Sequence, residues 1–576
     1  MDNKKIAEML EEIAEMLELD EEKDRHFEVR AYRKAALTIG SMQEDIRDLY
    51  KRKGERGLLE LPGIGKGIAG SVIEFLENGR MSKYDNFKKR YPLDFKDLSN
   101  IQGLGAKRIY KLYRSLGVKD LSTLKAAVEK HEIRELEGFG ARSEEELLRG
   151  IKRVESGKGR LLLGSALPEA ETIISKIKRS GLVDAVELAG SARRMKETVG
   201  DLDILVISNK SKEVMDFVEN MDEVSETVVK GPTKTTVMLK IGITCDVRVV
   251  KKESIGAALQ YFIGNKDHNV KVRQIAIRKG YKLNEYGLFG SRGKRIAGRS
   301  EKEIYEKLGM QIMDPEMRED RGEVELSLEH KIPKLIQLED MHGDLHVHTN
   351  HSDGSDTIED MILEARSIGR EYIGISDHSK SEYVAGGMDD KKFAKHFDEI
   401  DKISDKIDGI KVLKSAEIDI LKDGGLDLQR KTLERMDYRL GAVHTNTKMG
   451  KDEMTKRIIK AFESGYVDIL AHPTGRLIQK RDPIDVDLDR VLEAAKDNGV
   501  IMEIDSFPER LDLGDENVLK AKREYGLKFS IGSDAHSKAQ LGFIRYGVGT
   551  AKRGWLRSDE VVNTYHIAKL MKLFKG

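Results

Sequence analysis

The run Gly200-Asp201-Leu202-Asp203-Ile204-Leu205-Val206 constrains this chain more than any other stretch. Two acids alternate with apolar residues at the head of a β-type segment. Alternate residues of a strand point to one face. Asp201 and Asp203 therefore project together, while Leu202 and Ile204 turn the other way. Like charges that close repel unless cations lie between them. A later apolar run, Thr244–Val250, carries a third acid, Asp246. Three acids on two strands can hold two divalent ions, and such an ion pair suits in-line phosphoryl transfer. Further β-type runs at 227–229 and 235–239, with a helix near 211–220, predict a small sheet-and-helix domain around the acids.

The 576 residues make about four folding units at roughly 150 residues each. Charged residues are 35% and apolar ones 39%, as in a globular protein with a heavily charged surface. No apolar run approaches the ~20 residues that span a bilayer. The start, Met1-Asp2-Asn3-Lys4-Lys5, lacks the apolar core of a signal peptide. A cytoplasmic protein without a membrane partner is expected. The single cysteine, Cys245, excludes an internal disulfide framework and reads as a buried thiol. The net charge is zero, yet residues 231–300 hold 15 basic against 4 acidic side chains, which suits a polyanion-binding surface.

The first 80 residues read as helical, with Ile6, Met9, Leu10, Ile13, Met16 and Leu17 at helix spacing. Three Gly-hydrophobic-Gly turns follow, at Gly63/Gly65, Gly103/Gly105 and Gly138/Gly140, each between apolar helical patterns. Glycines let a backbone approach a phosphate, and the next helix offers free N–H groups and the positive end of its dipole. Three such hairpins predict a grip on DNA backbone that reads no bases.

Taken with Gly190-Ser191, Arg193-Arg194, Tyr261-Phe262-Ile263-Gly264 and Asn284-Glu285-Tyr286, these motifs resemble the family X DNA polymerases over about residues 1–315. The resemblance implies that Asp201, Asp203 and Asp246 ligate two Mg or Mn ions. It implies that Arg160, Gly190, Ser191 and Arg194 hold the nucleotide triphosphate and that Gly200 lets backbone approach it. Tyr261, Phe262 and Gly264 would pack on the sugar. Asn269 would contact the new base and Arg273 the template strand. The first two hairpins would bind Na or K through main-chain carbonyls of Leu61, Ile64, Ser99, Ile101 and Leu104. The implied partners are gapped or primer-template DNA and dNTPs. The likeness fails at Ser71, where the family's lyase nucleophile is a lysine, and at Glu28, where a phosphate-binding lysine is usual. Schiff-base chemistry needs an amine.

The second half places ligand-type residues at the ends of short apolar runs: His346 and His348, Asp353, His378, Glu417, His444, His472, then Asp534 and His536. Strand-helix alternation with about seven strands predicts an α/β barrel, whose strand ends meet at one rim. Six of the fourteen histidines and three acids would gather there, enough N/O ligands for more than one metal. This pattern resembles the PHP phosphoesterase domain over about residues 340–576, with up to three Mn, Zn or Fe ions. The resemblance groups His346, His348, Glu417 and Asp534 on one ion. Glu417 would bridge to a second with His444 and His472, and Asp353, His378 and His536 would hold a third. Arg476 could clamp phosphate or simply lie on the surface.

The expected architecture is multidomain. A helical domain at 1–85 and a second helix-hairpin-helix unit at 86–155 precede an α+β nucleotidyltransferase palm at 156–252 and a thumb-like unit at 253–315. An acidic, proline-punctuated linker at 316–340 leads to the distorted PHP barrel at 341–576. The resemblance implies short-gap filling in DNA repair, with a 3′-5′ exonuclease or phosphoesterase in the barrel. The alternatives are a template-independent nucleotidyltransferase fused to a small-molecule phosphatase of the histidinol phosphatase type, and a non-catalytic DNA-binding scaffold.

Overall fold

The computed structural model describes residues 2–19, 25–42, 46–99, 101, 104–141, 143–145, 147–148, 150–151 and 159–575. The N-terminal part is all helix from Asp2–Leu17 to Leu121–Glu129. Its amphipathic helices bury Ile6, Leu10, Ile13, Met16 and Leu17 in one apolar cluster that runs on through Phe95 and Leu112 to Ile151. The two helical units expected at 1–85 and 86–155 thus share a single core.

The described hairpin turns have one geometry. Ile64 N–H donates to the carbonyl of Leu61, Leu104 to Ile101, and Phe139 to Leu136. Gly63 and Gly138 take φ of 78° and 81°, a region that costs an L side chain roughly 1–2 kcal/mol. Gly65 and Gly105 then cap the helices Lys66–Asn78 and Ala106–Leu116. Gly103 lies outside the described residues.

Residues 161–250 form the five-stranded sheet, in the order Ala185–Ala189, Asp201–Ile207, Thr244–Val250, Lys234–Leu239, Val224–Lys230. The second and third of these are parallel and the other neighbours antiparallel. Leu202, Ile204 and Val206 pack under the helices Leu163–Arg179 and Ser211–Glu219. Leu205 turns to the opposite face, against Ala258 and Ile263 of the helix Ile255–Ile263. Asp201 and Asp203 share that second face by strand alternation. Cys245 is buried, and burial pushes its thiol pKa well up.

Residues 316–340 are not an exposed spacer. Met317, Val324 and Leu335 join the core of the preceding unit, Ile336 joins the core of the next, and Arg318 and Glu323 are buried. Acidic composition marked the segment as a linker; its few apolar residues seat it in the core instead.

The C-terminal part carries parallel strands in two sheets. One holds Gly343–Asp344, Tyr372–Ile375 and Lys411–Lys414; the other holds Glu417–Asp419, Leu440–Ala442, Ile469–Leu470, Ile501–Asp505 and Phe529–Gly532. Lys411–Lys414 and Glu417–Asp419 are one strand path broken at Ser415-Ala416, which leaves seven strand positions. Parallel bridges His378 to Glu417 and Val347 to Ala535 join the two sheets at both seams.

Two candidate metal centres

Register builds the first centre. Asp203 pairs with Asp246 across the parallel strands, and Ala189 pairs with Asp203 on the other side. Gly190, which follows Ala189, has φ 66°, and a Cβ there would lie 2.4 Å from Asp203 Oδ2. Burial first, then the charges of Asp201 and Asp246, raise Asp203 to a pKa of about 6. A carboxylate so placed gains from a nearby cation. Asp246 already has cations: Lys234 Nζ is 2.7 Å and Arg248 3.3 Å from Oδ2, and Thr236 Oγ1 donates to Oδ1 at 2.5 Å. Burial would raise its pKa, but the Lys234 ammonium and the Thr236 hydroxyl outweigh that and lower it. Lys234, Thr236 and Arg248 were missed from sequence. Only the alternation of Arg248 with Asp246 along one strand was readable; Lys234 and Thr236 come from the neighbouring strand, whose register was not.

The residues expected around a nucleotide are engaged within the fold. Arg194 is nearly buried; its Nε donates to Glu319 at 3.0 Å and Nη1 donates to the carbonyl of Ile263. Arg160 donates to Thr198, and a Cβ on Gly200 would sit 2.9 Å from its Nη1. Ser191 follows Gly190 in the turn Gly190–Arg193. Asn269 is buried, donates to the carbonyl of Tyr261 at 2.7 Å and accepts from Gln260 at 2.7 Å. Arg273 donates to the carbonyl of Asn269. Tyr261 is half-exposed, its ring edge-on to Phe262 at 5.0 Å, while Arg248 lies 4.7 Å over the Phe262 ring. Gly264, just after that helix, lies close to Arg194.

The second centre gathers all nine expected residues at the C-terminal ends of the barrel strands. Glu417 is at its middle: His472 Nε2 lies at 2.6 Å, His378 Nδ1 at 2.9 Å, His444 Nε2 at 3.0 Å, and the Nε2 atoms of His346 and His348 at 3.5 Å. Asp534 Oδ1 is 3.1 Å from His348 and 3.5 Å from His346. Asp353 Oδ2 is 3.3 Å from His536 and 3.6 Å from His378. The ligand atoms converge as three groups: His346, His348 and Asp534; His378, Glu417 and His444; and His348, Asp353, His378 and His536. His348 and His378 each belong to two groups, and His472, 2.6 Å from Glu417, belongs to none, which differs from the expected partition.

Nε2 of His346, His348 and His444, Nδ1 of His378 and Oε2 of Glu417 are buried without a hydrogen-bond partner. Such orphaned atoms are costly unless an ion takes them. Burial, then the charges of His378 and His536, lower His348 to a pKa of about 4, and burial with the Arg510 charge lowers His472 to about 3. Burial would raise Glu417, but the four imidazoles around it hold it well below the carboxylate range. Neutral imidazoles beside ionised carboxylates are the form that binds metal; His348 and His472 lean that way, while against burial the neighbouring carboxylates raise His346, His378 and His536, whose protons an ion would displace. The donor set fits divalent transition ions.

The outer layer was missed from sequence. Glu503 accepts from His346 Nδ1 at 2.7 Å with one oxygen and from the backbone N–H of His472 with the other. Its signal was an acid inside the apolar strand Ile501–Asp505. Arg510 lies 3.5 Å from Asp534 and 3.3 Å from Asp505. It lines a cavity of about 590 Å³ with the cluster, with Arg481, and with Arg30, Arg33 and Lys34 of the N-terminal helix His26–Ser41. Arg476 faces away: it holds the carbonyls of Arg510 and Leu511 and pairs with Glu197 at 2.8 Å.

Comparison with known proteins agrees with this build. Family models match for the helix-hairpin-helix domain at residues 1–81, the SAM-like helix-hairpin-helix tandem at 95–153, the DNA polymerase beta thumb at 258–319 and the PHP domain at 344–574. The chain is 34% identical over 566 residues to the DNA polymerase/3′-5′ exonuclease PolX of Bacillus subtilis (strain 168), covering 98% of this chain and 97% of that one. A probable phosphatase of Thermoanaerobacter sp. (strain X514) is 29% identical over 242 residues, 40% of this chain and 94% of its own. Polymerase beta of Leishmania infantum, solved as a ternary P/T complex, matches 39% of this chain and 97% of its own at 22% identity, with a TM-score of 0.27. A helix-hairpin-helix region, a polymerase thumb and a PHP domain in one chain define a polymerase joined to a phosphoesterase domain. The chain belongs to the family X DNA polymerases with a C-terminal PHP domain. Among the described residues no helix is long and apolar enough to cross a membrane.

Proposed function

We propose that this chain is a DNA-directed DNA polymerase that fills short gaps in repair, with a 3′-5′ exonuclease in its PHP domain. One observation supports the reading: the carboxylates lie on the sheet of residues 185–250, and the imidazole-rich cluster lies apart from them at the strand ends of the C-terminal part, where its ligand atoms converge. The Bacillus subtilis relative, whose name states both activities, aligns from end to end.

Asp201, Asp203 and Asp246 would hold two Mg or Mn ions, which supply charge neutralisation and an acidified hydroxyl for phosphoryl transfer. Lys234 and Arg248 keep Asp246 ionised for that role. Gly190, Ser191 and Gly200 leave room for the triphosphate beside the acids. Arg160 and Arg194 bind its oxygens, Arg194 exchanging Glu319 and the Ile263 carbonyl for them. Tyr261, Phe262, Gly264 and Asn269 position the sugar and base, and Arg273 the template. The barrel rim would hold up to three Mn, Zn or Fe ions on His346, His348, Asp353, His378, Glu417, His444, His472, Asp534 and His536. Bound there, the ions would supply an acidified water and positive charge for phosphodiester hydrolysis. Glu503 orients His346, and Arg510 and Arg481 face the phosphate. A Cβ at Gly65, Gly105, Gly138 or Gly140 would meet no protein atom within 4 Å; that open space suits backbone phosphates, with Na or K at the turn carbonyls. Working boundaries are 1–155 for DNA grip, 156–252 for the palm, 253–340 for the thumb with its buried strap, and 341–576 for the nuclease.

A gapped duplex with Mg²⁺ or Mn²⁺, with and without dNTPs, tests this. Asp201→Ala removes extension and keeps degradation; His346→Ala does the reverse. Each loss exceeds the roughly 100-fold typical of outer-shell partners. Loss of both reactions in either variant would refute two separate centres.

A further inference from the structure

We propose that His342, Glu371 and His566 form a separate site for a divalent transition ion, zinc in the first instance, that clasps the last helix to the barrel. Their ligand atoms converge within 4.8 Å of one another. His342 Nδ1 lies 3.1 Å and His566 Nδ1 2.8 Å from the same Glu371 oxygen, Oε1, and the two imidazole centroids are 4.1 Å apart. A tetrahedral ion with bonds of about 2.05 Å separates its ligand atoms by roughly 3.3 Å, so small side-chain shifts would convert these contacts into coordination. Two imidazoles and a carboxylate are a borderline donor set that takes zinc and its neighbours in preference to magnesium or calcium. His566 is 72% exposed on its side chain, which leaves solvent to complete the shell.

The frame under the ligands is rigid. His342 N–H donates to the carbonyl of Asn563 at 2.8 Å, and Glu371 N–H donates to the carbonyl of His342 at 2.6 Å. His342 precedes the strand Gly343–Asp344 and Glu371 precedes Tyr372–Ile375, so both sit where the barrel strands begin. The nine-residue cluster sits where they end. Four residues of strand, roughly 13 Å, separate His342 from His346. The new site is therefore a separate one, and it does not depend on the nuclease reading.

His566 introduces the final helix, Ile567–Lys575, whose Leu570 and Phe574 bury among Leu345, Tyr372, Tyr438 and Ile469 inside the barrel. Phe574 stacks on Tyr438 with ring centroids 5.2 Å apart. The helix thus plugs the barrel floor. An ion on His566, His342 and Glu371 would tie that plug to the first two strands, and an ion that binds only the folded chain stabilises it.

The test uses the full chain, stripped by chelation and then equilibrated with zinc. Wild type should carry one more zinc per chain, by atomic emission, than His566→Ala or Glu371→Gln, with DNA degradation unchanged in both variants. Zinc should raise the wild-type melting midpoint further than that of either variant. His566 is exposed, so its replacement leaves folding intact, and far-UV circular dichroism checks this. Equal zinc counts in wild type and both variants overturn the site. One fewer zinc with an identical melting response overturns the clasp.

Discussion

At the scale of single residues, the first centre draws like charges together against their own repulsion, whereas the second sets imidazoles around carboxylates. Asp203 illustrates the cost: burial and two neighbouring acids lift its pKa to about 6. Gly190 makes the approach possible, because only glycine combines a φ of 66° with a missing Cβ where Asp203 Oδ2 lies. Gly190→Ala should lower primer extension at least about 10-fold, since the left-handed backbone alone costs roughly 1–2 kcal/mol. DNA degradation should persist, and a paired extension and degradation assay on one substrate reads both. The nine residues that gather at the barrel rim were legible in the sequence because nearly every one follows an apolar run; Asp353, after the polar Asn350-His351-Ser352, does not. Glu503 and Arg510 were not, since an acid in a strand and an arginine in a loop have many other uses.

At the scale of elements, the parallel pairing of Asp201–Ile207 with Thr244–Val250 turns three scattered acids into one cluster. The sequence supplied the alternation within each strand, and the pairing partner came only with the sheet. The last helix is a second case. No motif marks it, yet Leu570 and Phe574 bury with Leu345, Tyr372 and Tyr438. Phe574→Ala removes a buried ring and its stack on Tyr438, and should destabilise the PHP domain by about 3 kcal/mol. Thermal unfolding followed by loss of nuclease activity would register it, with primer extension surviving to higher temperature. The segment 316–340 runs the other way: acidic composition suggested a linker, while four apolar anchors seat it in the core.

At the scale of the molecule, the sheet unit of residues 161–250, the segment that matches the polymerase thumb and the C-terminal barrel share a buried ion network. Arg553 of the barrel donates to Glu319 at 2.9 Å and to the carbonyl of Arg194, and it pairs with Asp515 at 2.7 Å. Ile478, Leu511 and Tyr546 of the barrel complete the palm's apolar cluster. Burial would raise Glu319, but Arg553, Arg194 and Lys196 outweigh it and hold its pKa at about 2, against an ordinary 4.5. A carboxyl depressed in the folded state adds stability above its unfolded pKa and loses it as pH falls through the folded one. Glu319→Gln should therefore lower stability by about 3 kcal/mol near pH 6. The gap between wild type and variant should narrow steadily as pH drops from about 4.5 toward 2, as urea midpoints across that range would record. A constant gap would show that the network holds the parts together by shape alone.

The amino-acid order by itself determined which residues carry the chemistry. Alternation and strand-end placement are local properties, and local spacing dictates which side chains share a face. It also determined the family, through motifs in a fixed order along the chain. Tertiary structure alone decided which strands are neighbours, how the residues of the barrel rim converge in groups, and that Arg194 is held by Glu319. It also decided that His342, Glu371 and His566 meet. Those contacts join residues tens to hundreds of positions apart, and only the packing of whole elements sets such distances.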